Sequence, residues 1–208
     1  MTWLRFLFGV ILLGCIAPLM AKSPPPGTGS ANVPANILIM LDTSGSMGIT
    51  DATTNSLSRP NAVAVDASGN VFVAEIYYHR IKKFNSSGTL LSQWGSWGTG
   101  NGRFRYPYGI SVDTSGNVYV ADHQNHRIQK FNNSGTYLSQ WGSRGAGNGQ
   151  FYHPFSVAVD ASGNVYVSDN TNRIQKFNSS GAYITQWGSR GTGNGQFNFP
   201  IATAVDAS

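Results

Sequence analysis

From Pro60 onward the chain copies itself, and the period of the copy decides the class of fold. Asp66, Asp113, Asp160 and Asp206 stand in V-D contexts at spacings of 47, 47 and 46 residues, and Pro60, Pro107, Pro154 and Pro200 keep the same spacings. Ile81-Lys82-Lys83-Phe84 returns as Ile128-Gln129-Lys130-Phe131 and Ile174-Gln175-Lys176-Phe177, and Gln93-Trp94-Gly95 returns at 140 and 186. A period of about 40–50 residues made only of β-type segments points to propeller blades. Helix formers are too scarce for anything else: Glu75 is the one glutamate, and after Pro60 the leucines are Leu90, Leu91 and Leu138. Charged residues are 11% of the chain against about 25% in ordinary domains, so a coiled coil, a helix bundle and a polyelectrolyte tail are excluded. The expected class is all-β.

Each unit supplies four short strands. In the second they fall near 109–113, 117–121, 127–131 and 137–141, with Val118 and Val120 alternating with Tyr119 at the strand period of two. Thr114-Ser115-Gly116 and Asn132-Asn133-Ser134-Gly135 read as hairpin turns whose glycines supply positive φ. Asn125-His126-Arg127-Ile128-Gln129-Lys130-Phe131, the preceding Val118-Tyr119-Val120-Ala121-Asp122, and the Gly-x-Gly-Asn-Gly-x-Phe-x-x-Pro connector together resemble the NHL repeat family across residues 60–208. The resemblance implies an NHL-type β-propeller with blades at 60–106, 107–153 and 154–199 and the first strand of a fourth at 200–208. Rings of this family have six blades, so the propeller is incomplete. The chain then reads as truncated, or as one that closes by self-association, three blades meeting three.

The first 59 residues are of other kinds. Met1–Ala21, with Arg5 ahead of the apolar run Phe6–Ile16, reads as a signal peptide, implying export to the periplasm, the cell envelope or the exterior. Leu12-Leu13-Gly14-Cys15 also resembles a bacterial lipobox, which would lipidate Cys15. A Pro/Gly/Ser linker follows at residues 22–36. At 37–59, the strand Ile37–Leu41 and Asp42-Thr43-Ser44-Gly45-Ser46 resemble the start of a von Willebrand factor A domain. That likeness implies Mg²⁺ held by Asp42, Ser44 and Ser46, three hard oxygen ligands of a set that the family completes from later loops. The alternative is a strand and polar turn without metal. No other cofactor is expected, and the lone cysteine excludes a disulfide framework or zinc ribbon.

Comparison of the units separates scaffold from site. Arg80, Arg127 and Arg173 recur with Glu75, Asp122 and Asp169 and read as structural pairs; Trp94, Trp141 and Trp187 read as packing residues. The residues that vary between units are Tyr77, Tyr78, His79, Arg103, Arg105, Tyr106, Tyr108, His123, Gln124, His126, Tyr152 and His153, all near one basic, aromatic rim, and these are the candidate ligand contacts. The leading function is an exported scaffold that binds a protein, peptide or glycan. A metal-dependent surface or pilus-associated adhesin and a propeller lyase or lactonase are the alternatives. No Ser-His-Asp or paired-carboxylate set is legible, so the expectation is a non-enzyme, and an exported chain is an improbable RNA binder despite its basic rim.

Overall fold

The structure, a computed structural model, describes residues 57–206. The signal-peptide, linker and Cys15 readings, and Asp42, Ser44 and Ser46 with the A-domain resemblance, lie outside the described residues.

Twelve strands form three four-stranded antiparallel sheets in simple sequence order. The first blade holds β1 (Pro60–Val65), β2 (Val71–Glu75), β3 (Arg80–Phe84) and β4 (Leu90–Trp94). The second holds β5 (Pro107–Val112), β6 (Val118–Asp122), β7 (Arg127–Phe131) and β8 (Tyr137–Trp141). The third holds β9 (Pro154–Val159), β10 (Val165–Asp169), β11 (Arg173–Phe177) and β12 (Tyr183–Trp187). The sole helical element among the described residues is a 3₁₀ turn at His123–Asn125, and no helix there is long and apolar enough to cross a membrane. Pro200–Asp206 follows the position of a fourth first strand but has no ladder; β1, β5 and β9 are strands because each pairs with the second strand of its own blade.

Local chemistry closes the hairpins. Asp66 Oδ1 accepts the N–H groups of Ser68 and Asn70 at 2.9 and 2.8 Å, and Asn85 Oδ1 accepts those of Ser87 and Thr89 at 3.1 and 2.8 Å. These Asx turns recur at Asp113, Asp160, Asn132 and Asn178, and they account for the repeated Asp and Asn without invoking glycosylation.

The blades stack through apolar faces. β5 lies beside β1 and β2, and β9 beside β5 and β6, so the first strands run side by side along the inner edge. At the first seam, Phe72, Ala74, Ile81, Trp94 and Phe104 meet Ile110, Val112, Val118, Val120 and Phe131. At the second, Tyr119, Ala121, Ile128, Trp141 and Phe151 meet Val157, Val159, Val165, Val167 and Phe177. Each blade therefore has a trailing face built on Trp and Ile and a leading face built on Val-x-Val and Phe. Trp94 and Trp141 pack as expected, a Cβ on Gly135 standing 2.6 Å from the Trp94 ring and one on Gly181 2.6 Å from Trp141, whereas Trp187 is 44% exposed and belongs to neither seam.

Candidate ligand cleft at the first blade seam

The loops between second and third strands share a rim with the long connectors. A buried ion pair anchors both in each blade. Asp122 Oδ2 accepts from Arg127 Nε at 2.7 Å, Asn125 Nδ2 at 2.9 Å and Gln129 Nε2 at 3.0 Å, while Oδ1 accepts the Arg105 N–H at 2.8 Å. Arg127 continues to the carbonyls of Gly100 and Arg103, both at 2.9 Å, so one arginine fixes a connector that has no ladder of its own. Burial raises the Asp122 carboxyl above its ordinary range, and the donors around it pull the other way. In the third blade the loop is one residue shorter and the equivalent pair, Asp169–Arg173, opens to 3.3 Å, with Thr171 Oγ1 donating to Asp169. Arg80 pairs with Glu75 in the first. Three of the seven rim arginines are thus scaffold, as their recurrence implied; Arg103, Arg105, Arg144 and Arg190 remain outside these pairs.

Eight of the twelve variable residues gather at two seams. At the first, Tyr77, Tyr106, Tyr108, His123 and Gln124 line a cleft of about 430 Å³ together with Arg59, Pro60, Asn61 and Ile76. Arg59 lies over the Tyr77 ring at 4.5 Å and donates to its hydroxyl at 2.7 Å. Asn61 Nδ2 donates to the Tyr108 carbonyl at 2.7 Å. At the second seam the equivalent space is filled: the His123 ring stacks on Tyr108 at 4.2 Å and packs on His153 at 4.7 Å and Phe155 at 5.1 Å. His123 Nδ1 donates to the Pro154 carbonyl at 3.2 Å, and burial lowers its pKa to about 4. His126 and Tyr152 complete this stack, with Arg144 over Tyr152 at 5.4 Å. The cleft opens because Asn61 and Ile76 stand where the second blade has Tyr108 and His123.

The other candidates lie apart from the cleft. Tyr78 is exposed under Arg80, and Arg105 lies over Trp97 at 4.9 Å. Arg103 is exposed, and its carbonyl accepts from Arg127 and Gln129. His79 and His126 use Nδ1 to accept backbone N–H groups, which leaves each ring neutral with its proton on Nε2; burial lowers both pKa values. Among the described residues no group of three or more His, Cys, Asp or Glu is arranged to hold a metal.

Arg59, Asn61, Ile76 and Phe155 were missed as site residues. Their signal was available: Arg59, Tyr106, His153 and Phe199 each precede the leading proline, and Asn61, Tyr108, Phe155 and Ile201 each follow it. Those two columns vary in every unit inside an otherwise repeated sequence. The residues before proline are all left-handed, with φ of 45, 58, 55 and 56°, which turns their side chains onto the rim.

The NHL repeat family matches residues 104–131. A catalytically inactive virginiamycin B lyase from Staphylococcus aureus with quinupristin is similar at 15% identity and a TM-score of 0.51, over 69% of this chain and 43% of its own. A streptogramin B lyase structure is similar at 16% identity and a TM-score of 0.51, over 70% and 44%. The chain therefore spans less than half the length of these structures. No curated protein matches the sequence. An NHL repeat is thus matched in the second blade, the same residues return one period to either side, and the fold is that of β-propeller blades.

Proposed function

We propose that this chain is an exported binding scaffold that takes a protein, peptide or glycan at the cleft between its first and second blades. The observation that carries this is the substitution pattern at the seams. The same backbone makes both, yet the first opens to about 430 Å³ under three tyrosines and an arginine, while the second is filled by the Tyr108–His123 stack. Concave sites with aromatic walls and a few polar groups are the usual form of a ligand site. NHL propellers commonly mediate protein interactions, which agrees with a rim role. Export rests on Met1–Ala21.

Binding is favoured over catalysis because no carboxylate lines the cleft and its one imidazole, His123, has Nδ1 committed to Pro154. The test is to probe wild type and an Asn61→Tyr/Ile76→His variant on peptide and glycan arrays. The variant fills the first seam as the second is filled. Ligands retained by wild type and lost by the folded variant support the cleft; an unchanged profile overturns it.

A further inference from the structure

The rim at the first seam carries its cations on exposed aromatic rings. Arg59 covers the Tyr77 ring at 4.5 Å, and Arg105 covers Trp97 at 4.9 Å. Tyr106 joins the two, meeting Tyr77 at 6.1 Å and Trp97 at 6.0 Å, edge to face in both. Tyr77 and Trp97 remain 52% and 50% exposed. The second connector builds the same kind of stack with its members exchanged. The bridges Trp97–Phe104 and Arg144–Phe151 align the two connectors, and Tyr152 then stands at the place of Arg105, with Arg144 over it at 5.4 Å. The exposed member is therefore the ring at the first seam and the cation at the second.

Burial keeps His123 neutral, so Arg59 is the one charge among the residues that line the cleft. Its Nη1 donates to the Tyr77 hydroxyl at 2.7 Å, and among the described residues no carboxylate pairs with it. Glu75 is fully buried and taken by Arg80 and the Ser58 N–H. The Nε and Nη2 edge of Arg59 suits a planar carboxylate, bound through two parallel hydrogen bonds. Around it stand phenol hydroxyls and the amides of Asn61 and Gln124, while the aliphatic lining is confined to Pro60 and Ile76. Such walls give an apolar peptide anchor little to fill. A sugar ring matches them: its C–H face stacks on a tyrosine, its hydroxyls meet amides and phenols, and a carboxylate on it meets the arginine.

We infer that the cleft takes an acidic polysaccharide, a polymer of uronic acid sugars, with a ring against the Tyr77–Tyr106–Trp97 surface and its carboxylate on Arg59. This rests on the cleft reading above and names its ligand. Arg105 offers a second cation further along the rim, and the net charge of +5 draws a polyanion toward the chain.

Calorimetric titration of the full chain with oligogalacturonate, oligoguluronate and hyaluronan fragments tests this. At least one should bind, and for oligogalacturonate the methyl ester, which keeps the sugar and removes the charge, should bind about tenfold more weakly. Raising the salt from about 0.05 to 0.5 M should weaken the acid form and leave the ester unchanged. Arg59→Gln, at an exposed position and verified as folded by circular dichroism, should abolish the preference for acid over ester; Tyr77→Ala should weaken both. No binding of any of the three, equal affinity for acid and ester, or a preference that survives Arg59→Gln would overturn the inference. Tighter binding of oligoglutamate than of every uronate would make the ligand an acidic peptide, overturning the inference while sparing the cleft. Unchanged uronate binding by Asn61→Tyr/Ile76→His would instead remove the cleft reading itself, and the inference with it.

Discussion

The backbone N–H of Tyr106 donates to Nδ1 of His79 at 3.1 Å, latching the second blade to the first. The latch recurs from His153 to His126 at 3.1 Å and from Phe199 to Asn172 Oδ1 at 2.9 Å. Donor and acceptor residues are all left-handed, at φ of 58 and 52°, 55 and 56°, and 56 and 63°. Non-glycine residues hold that conformation only where their surroundings fix it. The imidazoles are therefore structural acceptors, and two residues that varied like ligand contacts vary because His and Asn perform one task.

Protonation turns Nδ1 from acceptor to donor, so the first two latches are acid-labile and the third is not. Burial lowers the folded-state pKa of His79, His126 and, to about 4, His123. A depressed histidine contributes stability that is complete above its unfolded value of about 6.5 and is lost as pH falls through the folded values. Calorimetry should show the melting temperature falling between about pH 6.5 and 4. His79→Asn/His126→Asn, which copies the Asn172 latch, should shrink that fall. Asp66 and Asp160, whose carboxyls hydrogen bonds hold low against burial, act only below this window. An identical pH profile in the double variant would rule out the latches as its source.

Gly135 and Gly88 occupy the same turn of successive blades, at φ of +86 and +80°. A Cβ at 135 would lie 2.6 Å from the Trp94 ring, whereas one at 88 meets nothing within 4 Å. Gly88→Ala should cost about 1 kcal/mol, the left-handed backbone alone. Gly135→Ala should cost about 1–3 kcal/mol more, since the seam must be overpacked. Urea unfolding of both variants measures the difference, and equal costs would mean that Trp94 yields freely.

Asp122 gathers four donors in a buried site. Asp122→Ala strands the Arg127 guanidinium, itself 7% exposed, and should cost about 3–5 kcal/mol in chemical denaturation. The connector it holds should also show faster amide exchange at Arg105. A loss below about 1 kcal/mol would place the pair among weak surface bridges.

Ser168 is fully buried, and its hydroxyl has no partner; Ala74 and Ala121 occupy its place in the other blades. Ser168→Ala should therefore stabilise the chain by about 1 kcal/mol, because an unsatisfied buried hydroxyl is removed at almost constant volume. A destabilised variant would show that the hydroxyl is satisfied in solution.

The blades were legible in the sequence because each unit specifies itself locally. Alternation of Val118, Tyr119 and Val120 sets the strand faces, the Asp and Asn turns set the hairpins, and a 47-residue period repeats the result. The structural role of Asp122 and Arg127 was legible too, since both recur. The cleft was legible only in part. Tyr77, Tyr106, Tyr108, His123 and Gln124 announced themselves as aromatic or polar variants, but Arg59, Asn61 and Ile76 matter for the room they leave.

By itself, then, the sequence determined strand, turn and blade, all set by contacts within about one period of chain. Only the tertiary structure decided which variable residues face one another. Tyr106 reaches His79 across 27 residues and Asn61 reaches Tyr108 across 47, and those separations are bridged by seam packing that no local pattern encodes. Whether a seam is filled or open depends on the volumes of side chains from two blades at once, so the cleft belongs to the pair of blades and to neither blade alone.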